Sequence, residues 1–600
     1  MAAFTLAQLS AAQTAVQHVL KKPLPCEINV SLSDELCISW DGKVAEVTAP
    51  DVPALARACF LLTQADMEGK KELHVTQKRN IESCGAFIDC SRGAVMTVEA
   101  CKRYLDNLAA LGLNLFVMYM EDTYTVPEYP YFGHMRGRYT PDELREIDDY
   151  AASLGIELLP QIQTLAHLGQ FLQWRDDEHL KDTPYCLLVD DEETYTFIED
   201  EIRSIRSCFR TNRIHIGMDE ANNLGLMRYY AKHGPVDRFE LLKRHLKRVT
   251  AICEKYNFHP MMWSDMFFRL GSKDNEYYDM ESHLPQSVID GLPDVDMVYW
   301  DYYHTEPEWY EHMLCEHERM GANTVFAGGV WTWSGFLPQV ERNDATMYPA
   351  LRACAAHHIK TVMATMWGDD GSETDFFLAM SQIPIFSEFC WRGPECERAD
   401  VIHMAQTLTG LSPEAYAGFG YFYKDSTDDR TGKGLVYCDL LYHLLPGNPD
   451  LEAAIARYRK GQEMIKVNAD NPQCIYANAL FNLVIKKAQT ILNIRKFYAQ
   501  KDKKALREIA NKDIPELISL YEKLQALHRE QWLASYKRNG WETFPLRYGA
   551  VVGRIKDVAL ALNEYADGKI STIAELDEPM LDPTRRSGMQ FYEVYDSPRM

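Results

Sequence analysis

Two adjacent carboxylates close the run Asn212-Arg213-Ile214-His215-Ile216-Gly217-Met218-Asp219-Glu220. Ile214 and Ile216 are apolar and strand-like, so the acids stand at the end of a short buried strand, where carboxylates are costly unless they are paired or used. Gly217 has no side chain and lets a ring or another backbone pass close. Seven further strand-like runs end in chemistry-bearing residues: Asp89-Cys90-Ser91-Arg92, Tyr119-Met120-Glu121-Asp122, Gln163-Thr164-Leu165-Ala166-His167, Trp263-Ser264-Asp265, Trp300-Asp301-Tyr302-Tyr303, Trp331-Thr332-Trp333 and Trp367-Gly368-Asp369-Asp370. Five of the eleven Trp lie at such ends. Aromatic walls with carboxylates among them suit a sugar, whose C–H faces stack on rings while its hydroxyls bond to acids.

The elements that must position these residues read as eight β/α repeats. The strands fall at Gly85–Cys90, Leu115–Met120, Glu157–Gln163, Ile214–Met218, Pro260–Trp263, Met297–Trp300, Thr324–Val330 and Thr361–Trp367. Helices at Thr97–Leu111, with Thr97 as N-cap, and Pro141–Leu154 separate the first three. Mostly buried parallel strands in this cadence predict a (β/α)₈ TIM barrel with its site at the C-terminal strand ends. A doubly wound sheet gives the same local signals, but no G-x-G-x-x-G follows the first strand. Before the barrel, residues 1–78 read as a small α/β domain. Its strands are Glu27–Leu32, Leu36–Trp40 and Lys43–Val47, with an Asp41-Gly42 turn, and a helix follows over Pro53–Ala65. The barrel takes 79–395. Residues 396–600 read as an α-helical domain with long helices at Leu451–Val467, Tyr476–Gln500, Lys504–Arg529 and Tyr548–Tyr565. This tail is either a prop for the barrel or the surface of a homodimer, two roles the sequence does not separate.

The chain has 600 residues and a formal charge of −24, with no Lys/Arg cluster. Nucleic acid and anionic membrane are therefore poor partners, since both are bound through basic patches. The fifteen Cys form no C-x-x-C pair or regular frame, which fits reduced thiols in the cytoplasm. The first twenty residues lack the basic and apolar regions of a signal peptide, and no apolar run has transmembrane length. His215, Asp219, Asp122 and His167 also raise a metal-dependent hydrolase, but there is no H-x-H after the first strand and no H-E-x-x-H. A carbohydrate-binding protein without catalysis is the remaining alternative, and the presence of both acids argues against it.

His215-Ile216-Gly217-Met218-Asp219-Glu220 resembles the H-x-G-x-D-E signature of glycoside hydrolase family 20, the β-N-acetylhexosaminidases. Asp89-Cys90-Ser91-Arg92, Trp263-Ser264-Asp265 and Trp367 extend the likeness. Tyr119–Tyr124, Gln163–Leu168 and Trp300–Tyr303 are similar to a bacterial exo-β-N-acetylglucosaminidase branch with a helical C-terminal domain. The resemblance implies substrate-assisted retention with no cofactor and no metal, acting on non-reducing terminal GlcNAc, with GalNAc left open. Glu220 would be the general acid and then the base, and Asp219 would hold the acetamido N–H. Asp122 and His167 would form the pair behind Glu220. Trp263, Trp300 and Trp367 would clasp the acetamido methyl, and Trp333 joins the aromatic wall.

Two departures stand out. The family usually has Arg-Gly just before the first strand, and here the place reads Ser83-Cys84-Gly85, so the hydroxyl clamp is sought in Asp369, Asp370 or Arg92. The seventh-strand Tyr that bonds the acetamido oxygen is absent from Gly328–Trp333, and the role moves to Tyr302 or Tyr303.

Overall fold

The computed structural model describes residues 4–282, 284–333, 335–369, 371–424, 430–442 and 450–579. An N-terminal sheet holds β1 (Glu27–Leu32), β2 (Leu36–Trp40), β3 (Val44–Ala49) and β4 (Leu73–Gln77) in the order β1-β3-β2-β4. The Asp41-Gly42 turn joins β2 and β3 as an antiparallel pair. Two helices, Leu6–Leu20 and Val52–Met67, accompany this sheet. Asp51 caps the second, accepting from the Ala54 amide at 2.9 Å. Buried Arg57 from that helix donates to Glu388 at 2.8 Å and to the Leu111 carbonyl at 3.2 Å, tying the sheet layer to the barrel.

The barrel closes over eight parallel strands: β5 (Ser83–Asp89), β6 (Leu115–Tyr119), β7 (Glu157–Gln161), β8 (Arg213–His215), β9 (His259–Trp263), β10 (Asp296–Trp300), β11 (Thr324–Gly329) and β12 (Thr361–Met366). β12 returns to β5 in the register Thr361↔Ser83 through Met366↔Ile88. All eight sit where the apolar runs placed them. One parity of side chains (Phe87, Leu115, Val117, Tyr119, Leu159, Met261, Val298, Val325, Ala327 and Met363) fills the interior as a packed core. The other parity, such as Ala86, Ile88, Phe116 and Met118, belongs to the core beneath the outer helices.

β8 is shorter than its apolar run because Gly217 and Met218 turn into the left-handed region at φ +70° and +72°. Ladder hydrogen bonds nevertheless persist on both sides: Ile216 N–H donates to the Met261 carbonyl at 2.8 Å and Trp263 N–H to the Gly217 carbonyl at 3.2 Å toward β9, and Thr164 N–H donates to the Ile216 carbonyl at 3.3 Å toward β7. The turn therefore stays locked between β7 and β9.

Helices Leu451–Ile465, Pro472–Ala499, Ile514–Ser535 and Thr543–Asp567 form the C-terminal part. The run expected from Lys504 enters its long helix through a π-helical turn at Ile509–Asp513. This part clamps the loop after β12. Glu373 accepts from Lys433 at 3.1 Å and from Arg547 at 2.8 Å, and Asp375 accepts from the Tyr536 hydroxyl at 2.9 Å, all of them buried. Among the described residues no helix is long and apolar enough to cross a membrane.

Candidate active site

A cavity of about 220 Å³ opens at the C-terminal strand ends, lined by Arg92, His167, Asp219, Glu220, Trp263, Trp300, Tyr302, Tyr303, Trp333, Trp367 and Asp369. Eleven of the thirteen residues singled out above thus meet in one place. Asp370 lies outside the described residues.

Asp219 is buried and doubly held. Gln163 Nε2 donates to its Oδ1 at 2.8 Å, and His167 Nε2 faces its Oδ2 at 3.1 Å. Burial opposes ionisation, but the His167 charge and the two contacts outweigh it and hold the carboxyl below its usual range. His167 mirrors this: burial works against its charge, while Asp219 and Glu220 at 3.4 Å hold the ring protonated well above the ordinary imidazole range. Glu220 is the more open of the pair, its side chain 42% exposed. The two acids diverge from one turn, Asp219 into the barrel and Glu220 toward the mouth.

Four non-glycine residues here occupy the left-handed region: Glu121 at φ +43°, His167 at +56°, Met218 at +72° and Glu220 at +50°. Such conformations are costly and persist where surrounding structure over-determines them, which marks functional sites. Gly217 makes the turn feasible. A Cβ there would stand 2.0 Å from Gln163 Oε1 and 2.8 Å from the Ile162 carbonyl oxygen, so the close approach expected at this glycine is made by Gln163.

Asp122 is not behind Glu220. It is buried and bound by Arg136 Nε at 2.8 Å, and the carboxylate that faces His167 Nδ1, at 3.8 Å, is that of Glu121. Glu121 also accepts from the Tyr119 hydroxyl at 2.9 Å and faces Arg92 at 3.4 Å. Tyr119 in turn accepts from Gln163 at 3.1 Å, so a chain of contacts runs from Arg92 to Asp219. Strand parity was the missed signal: Leu115, Val117 and Tyr119 point inward, and Glu121 continues that count.

The guanidinium in the cavity is that of Arg92. It pairs with Asp89 at 3.1 Å and stands 4.8 Å and 5.4 Å from the Tyr119 and Trp367 ring centres. Cys84 belongs to the opposite parity near the other end of β5, with its Sγ 3.8 Å from the Phe386 carbonyl oxygen. The Cys84 side chain does not line the cavity.

The aromatic wall is continuous. Trp300 stacks on Tyr302 at 5.3 Å, Trp367 Nε1 donates to the Tyr302 hydroxyl at 3.0 Å, and Trp263 lies 6.1 Å from Trp367. Trp333 lines the cavity while Trp331 backs it, stacked at 4.4 Å. Tyr303 sits at the rim, 44% exposed. Asp265, Gln163 and Tyr119 also hold the acids or their neighbours, and the sequence reading assigned them no role.

The donor set of the metal reading does not converge. His215 Nδ1 accepts from the Gly217 amide at 3.1 Å, and burial pushes the ring down to about 3. Asp122 is occupied by Arg136. Among the described residues, the three metal-type ligand atoms gathered within 4.8 Å belong to Cys315, Glu318 and His357, on the outer helices.

A closed parallel barrel with acids and aromatic rings at its strand ends defines a carbohydrate-active TIM-barrel class. Residues 84–282 match the catalytic domain of glycosyl hydrolase family 20, and residues 423–594 match the glycoside hydrolase 20C C-terminal domain. The chain belongs to glycoside hydrolase family 20. It is 28% identical to hexosaminidase D of Bos taurus over 207 residues, 32% of this chain and 55% of that protein. With beta-hexosaminidase 3 of Arabidopsis thaliana it shares 22% over 301 residues, 45% of this chain and again 55% of that protein. The chain thus spans about half the length of these curated relatives. In fold it resembles a chitobiase of Flavobacterium johnsoniae (TM-score 0.51, 17% identity, covering 95% of this chain and 90% of that one). It also resembles an exo-β-N-acetylglucosaminidase of Vibrio harveyi solved with N-acetylglucosamine (TM-score 0.50, 15% identity, 70% and 74% covered).

Proposed function

We propose that this chain is an exo-acting β-N-acetylhexosaminidase that removes non-reducing terminal β-linked GlcNAc, and GalNAc where O4 contacts allow, by substrate-assisted retention. The observation that carries the reading is the divergent Asp219–Glu220 pair, both acids reached by His167, at the mouth of a Trp-walled cavity. At about 220 Å³ that cavity is smaller than drug-sized ligand pockets and suits a single sugar residue, hence exo action.

Family 20 is an exception to the two-carboxylate scheme of retaining glycosidases. In the first step the substrate's acetamido oxygen forms a bond to C1 as the C1–O glycosidic bond breaks, and Glu220 gives its proton to the leaving oxygen. An oxazolinium ion results. In the second step water adds to C1, the C1–acetamido oxygen bond breaks, and Glu220 takes the water's proton. Asp219, held ionised, accepts from the acetamido N–H and faces the developing positive charge. His167 positions both acids, with Glu121 behind it in place of Asp122. Trp263, Trp300 and Trp367 enclose the acetamido group. Tyr302, buried and oriented by Trp367, is the better donor to the acetamido oxygen than rim-exposed Tyr303. Arg92 and Asp369 supply hydroxyl contacts, and Trp333 closes the wall.

We assign 1–78, 79–395 and 396–600 as an α/β domain, the catalytic barrel and a helical domain, and the cytoplasm as the location. All fifteen Cys are free, as a reducing compartment predicts. A homodimer through the helical part remains one role for its outer face.

The test is turnover of aryl glycosides of GlcNAc, GalNAc, Glc and Gal, with a thiazoline mimic of the oxazolinium as inhibitor. Glu220→Gln loses about 10²-fold or more in turnover of a poor-leaving-group N-acetylglucosaminide. A plain β-glucoside cleaved as fast as the N-acetyl sugar, or near-normal turnover by that variant, sinks the assignment.

A further inference from the structure

A third carboxyl lies against the pair. Asp265 follows Trp263 at the end of β9, opens the helix Asp265–Gly271, and is completely buried. Its Oδ2 accepts the Glu220 backbone N–H at 3.0 Å. Its Oδ1 is buried with no hydrogen-bond partner of good geometry among the described residues, and the Trp300 side chain is the nearby donor to this carboxyl. The titratable groups facing it are Asp219 and Glu220 from the turn after β8, and Tyr277 and Tyr278 from the segment beyond its own helix. Arg269 is set beyond the Tyr277 ring, 4.5 Å from its centre.

This placement answers two needs. Glu220 is a non-glycine residue at φ +50°, a conformation that must be held from outside. Its carboxyl contacts His167 at 3.4 Å and is otherwise largely open, so its direction depends on the backbone behind it. The Glu220 carbonyl accepts from the Asn222 amide at 2.6 Å, and Asn222 Oδ1 accepts from Tyr277 at 3.0 Å, so the turn is gripped from both sides. A second anion beside Asp219 and Glu220 would be repelled, whereas a neutral carboxyl tolerates a buried oxygen without a donor far better.

We propose that Asp265 is a positioning residue acting as a neutral acid, its Oδ2 holding the Glu220 amide in the left-handed turn and thereby aiming the Glu220 carboxyl at the leaving oxygen. The inference rests on the general-acid reading of Glu220. Burial, then the Asp219 charge, push the Asp265 carboxyl well above its usual range, consistent with a proton on the unpartnered oxygen.

Two variants separate holding from charge. Asp265→Asn keeps an oxygen able to accept the Glu220 amide and carries no charge, while Asp265→Ala removes the acceptor. On an aryl N-acetyl-β-glucosaminide, Asp265→Ala loses about tenfold or more in kcat with KM little changed, the scale of one hydrogen bond at a reacting group. Asp265→Asn keeps kcat within about threefold and leaves both limbs of the pH–rate profile in place. Full kcat in Asp265→Ala, or equal losses in both variants, overturns the proposal. So does an Asp265→Asn profile whose alkaline limb moves down, because that variant would then have removed a working anion beside Glu220. Should Asp265→Ala fail to fold by thermal melting, the Asp265→Asn profile alone decides. Glu220→Gln is run alongside: its full activity refutes the general-acid reading itself. An inactive Glu220→Gln with a fully active Asp265→Ala refutes only the role of Asp265.

Discussion

The substitution His167→Asn takes away a ring that faces three carboxylates, Asp219 at 3.1 Å, Glu220 at 3.4 Å and Glu121 at 3.8 Å. Burial works against the imidazolium, but Asp219 and Glu220 outweigh it, so the ring is charged at neutral pH. Unit charges about 3 Å apart attract by roughly 5 kcal/mol at an effective dielectric near 20. Truncating one member of a buried pair costs about 3–5 kcal/mol, because the partner is left unpaired. If about 3 kcal/mol of this is felt in the transition state, kcat/KM falls on the order of 10²-fold.

The pH dependence has a definite sign. A histidine whose folded pKa is raised contributes its full stabilisation below the unfolded value of about 6.5, and loses it as pH rises through the folded value. The wild type therefore converges on the variant at alkaline pH, in melting temperature and in kcat/KM alike. Steady-state kinetics on an aryl N-acetylglucosaminide, paired with thermal melts across about pH 5–9, reads both quantities. A variant within about twofold of wild type near pH 6, or a gap that widens with pH, refutes the reasoning.

Three other substitutions probe the supports of the acid pair. Gly217→Ala places a methyl 2.0 Å from Gln163 Oε1 in a left-handed turn. It is expected to cost about 1–3 kcal/mol and to lower kcat by freeing Gln163 from Asp219, checked by denaturant melts and turnover. Glu121→Gln weakens the support of His167 and Arg92 and is expected to lower kcat/KM by about tenfold or more, whereas Asp122→Asn, bound to Arg136, lowers stability and leaves kcat/KM within about threefold. The reverse pattern would restore Asp122 to the role behind His167.

The barrel was legible because each buried parallel strand is a short run of Val, Ile, Leu, Met and Phe, a pattern that survives without knowledge of partners. The Asp219–Glu220 pair was legible for the same reason, being the point where such a run meets charge. The choice between Glu121 and Asp122 was harder. Strand parity favours Glu121, the next inward position after Tyr119, but the left-handed step at φ +43° that turns it to face His167 is a tertiary outcome. Residue type suggested an arginine was missing at Cys84, but strand parity turns that position to the helix layer and gives the cavity Arg92 instead. The helix Leu6–Leu20 escaped notice because two of its three buried residues, Ala12 and Ala15 beside Val16, are alanines that carry little apolar signal. The fifth strand-end Trp, Trp331, marks the limit of counting: stacked behind Trp333, it stiffens a wall it does not face.

The Glu373 clamp bears on how such an enzyme can be rearranged. The loop carrying Trp367 and Asp369 runs straight into Glu373 and Asp375, whose partners Lys433, Arg547 and Tyr536 belong to the C-terminal helices. A barrel grafted into another protein without those helices would bring two stranded acids at the root of a cavity-lining loop. Barrel and tail are therefore expected to be inherited as one cassette, and chimaeras that exchange the tail are expected to shift ligand selectivity although no described tail residue lines the cavity.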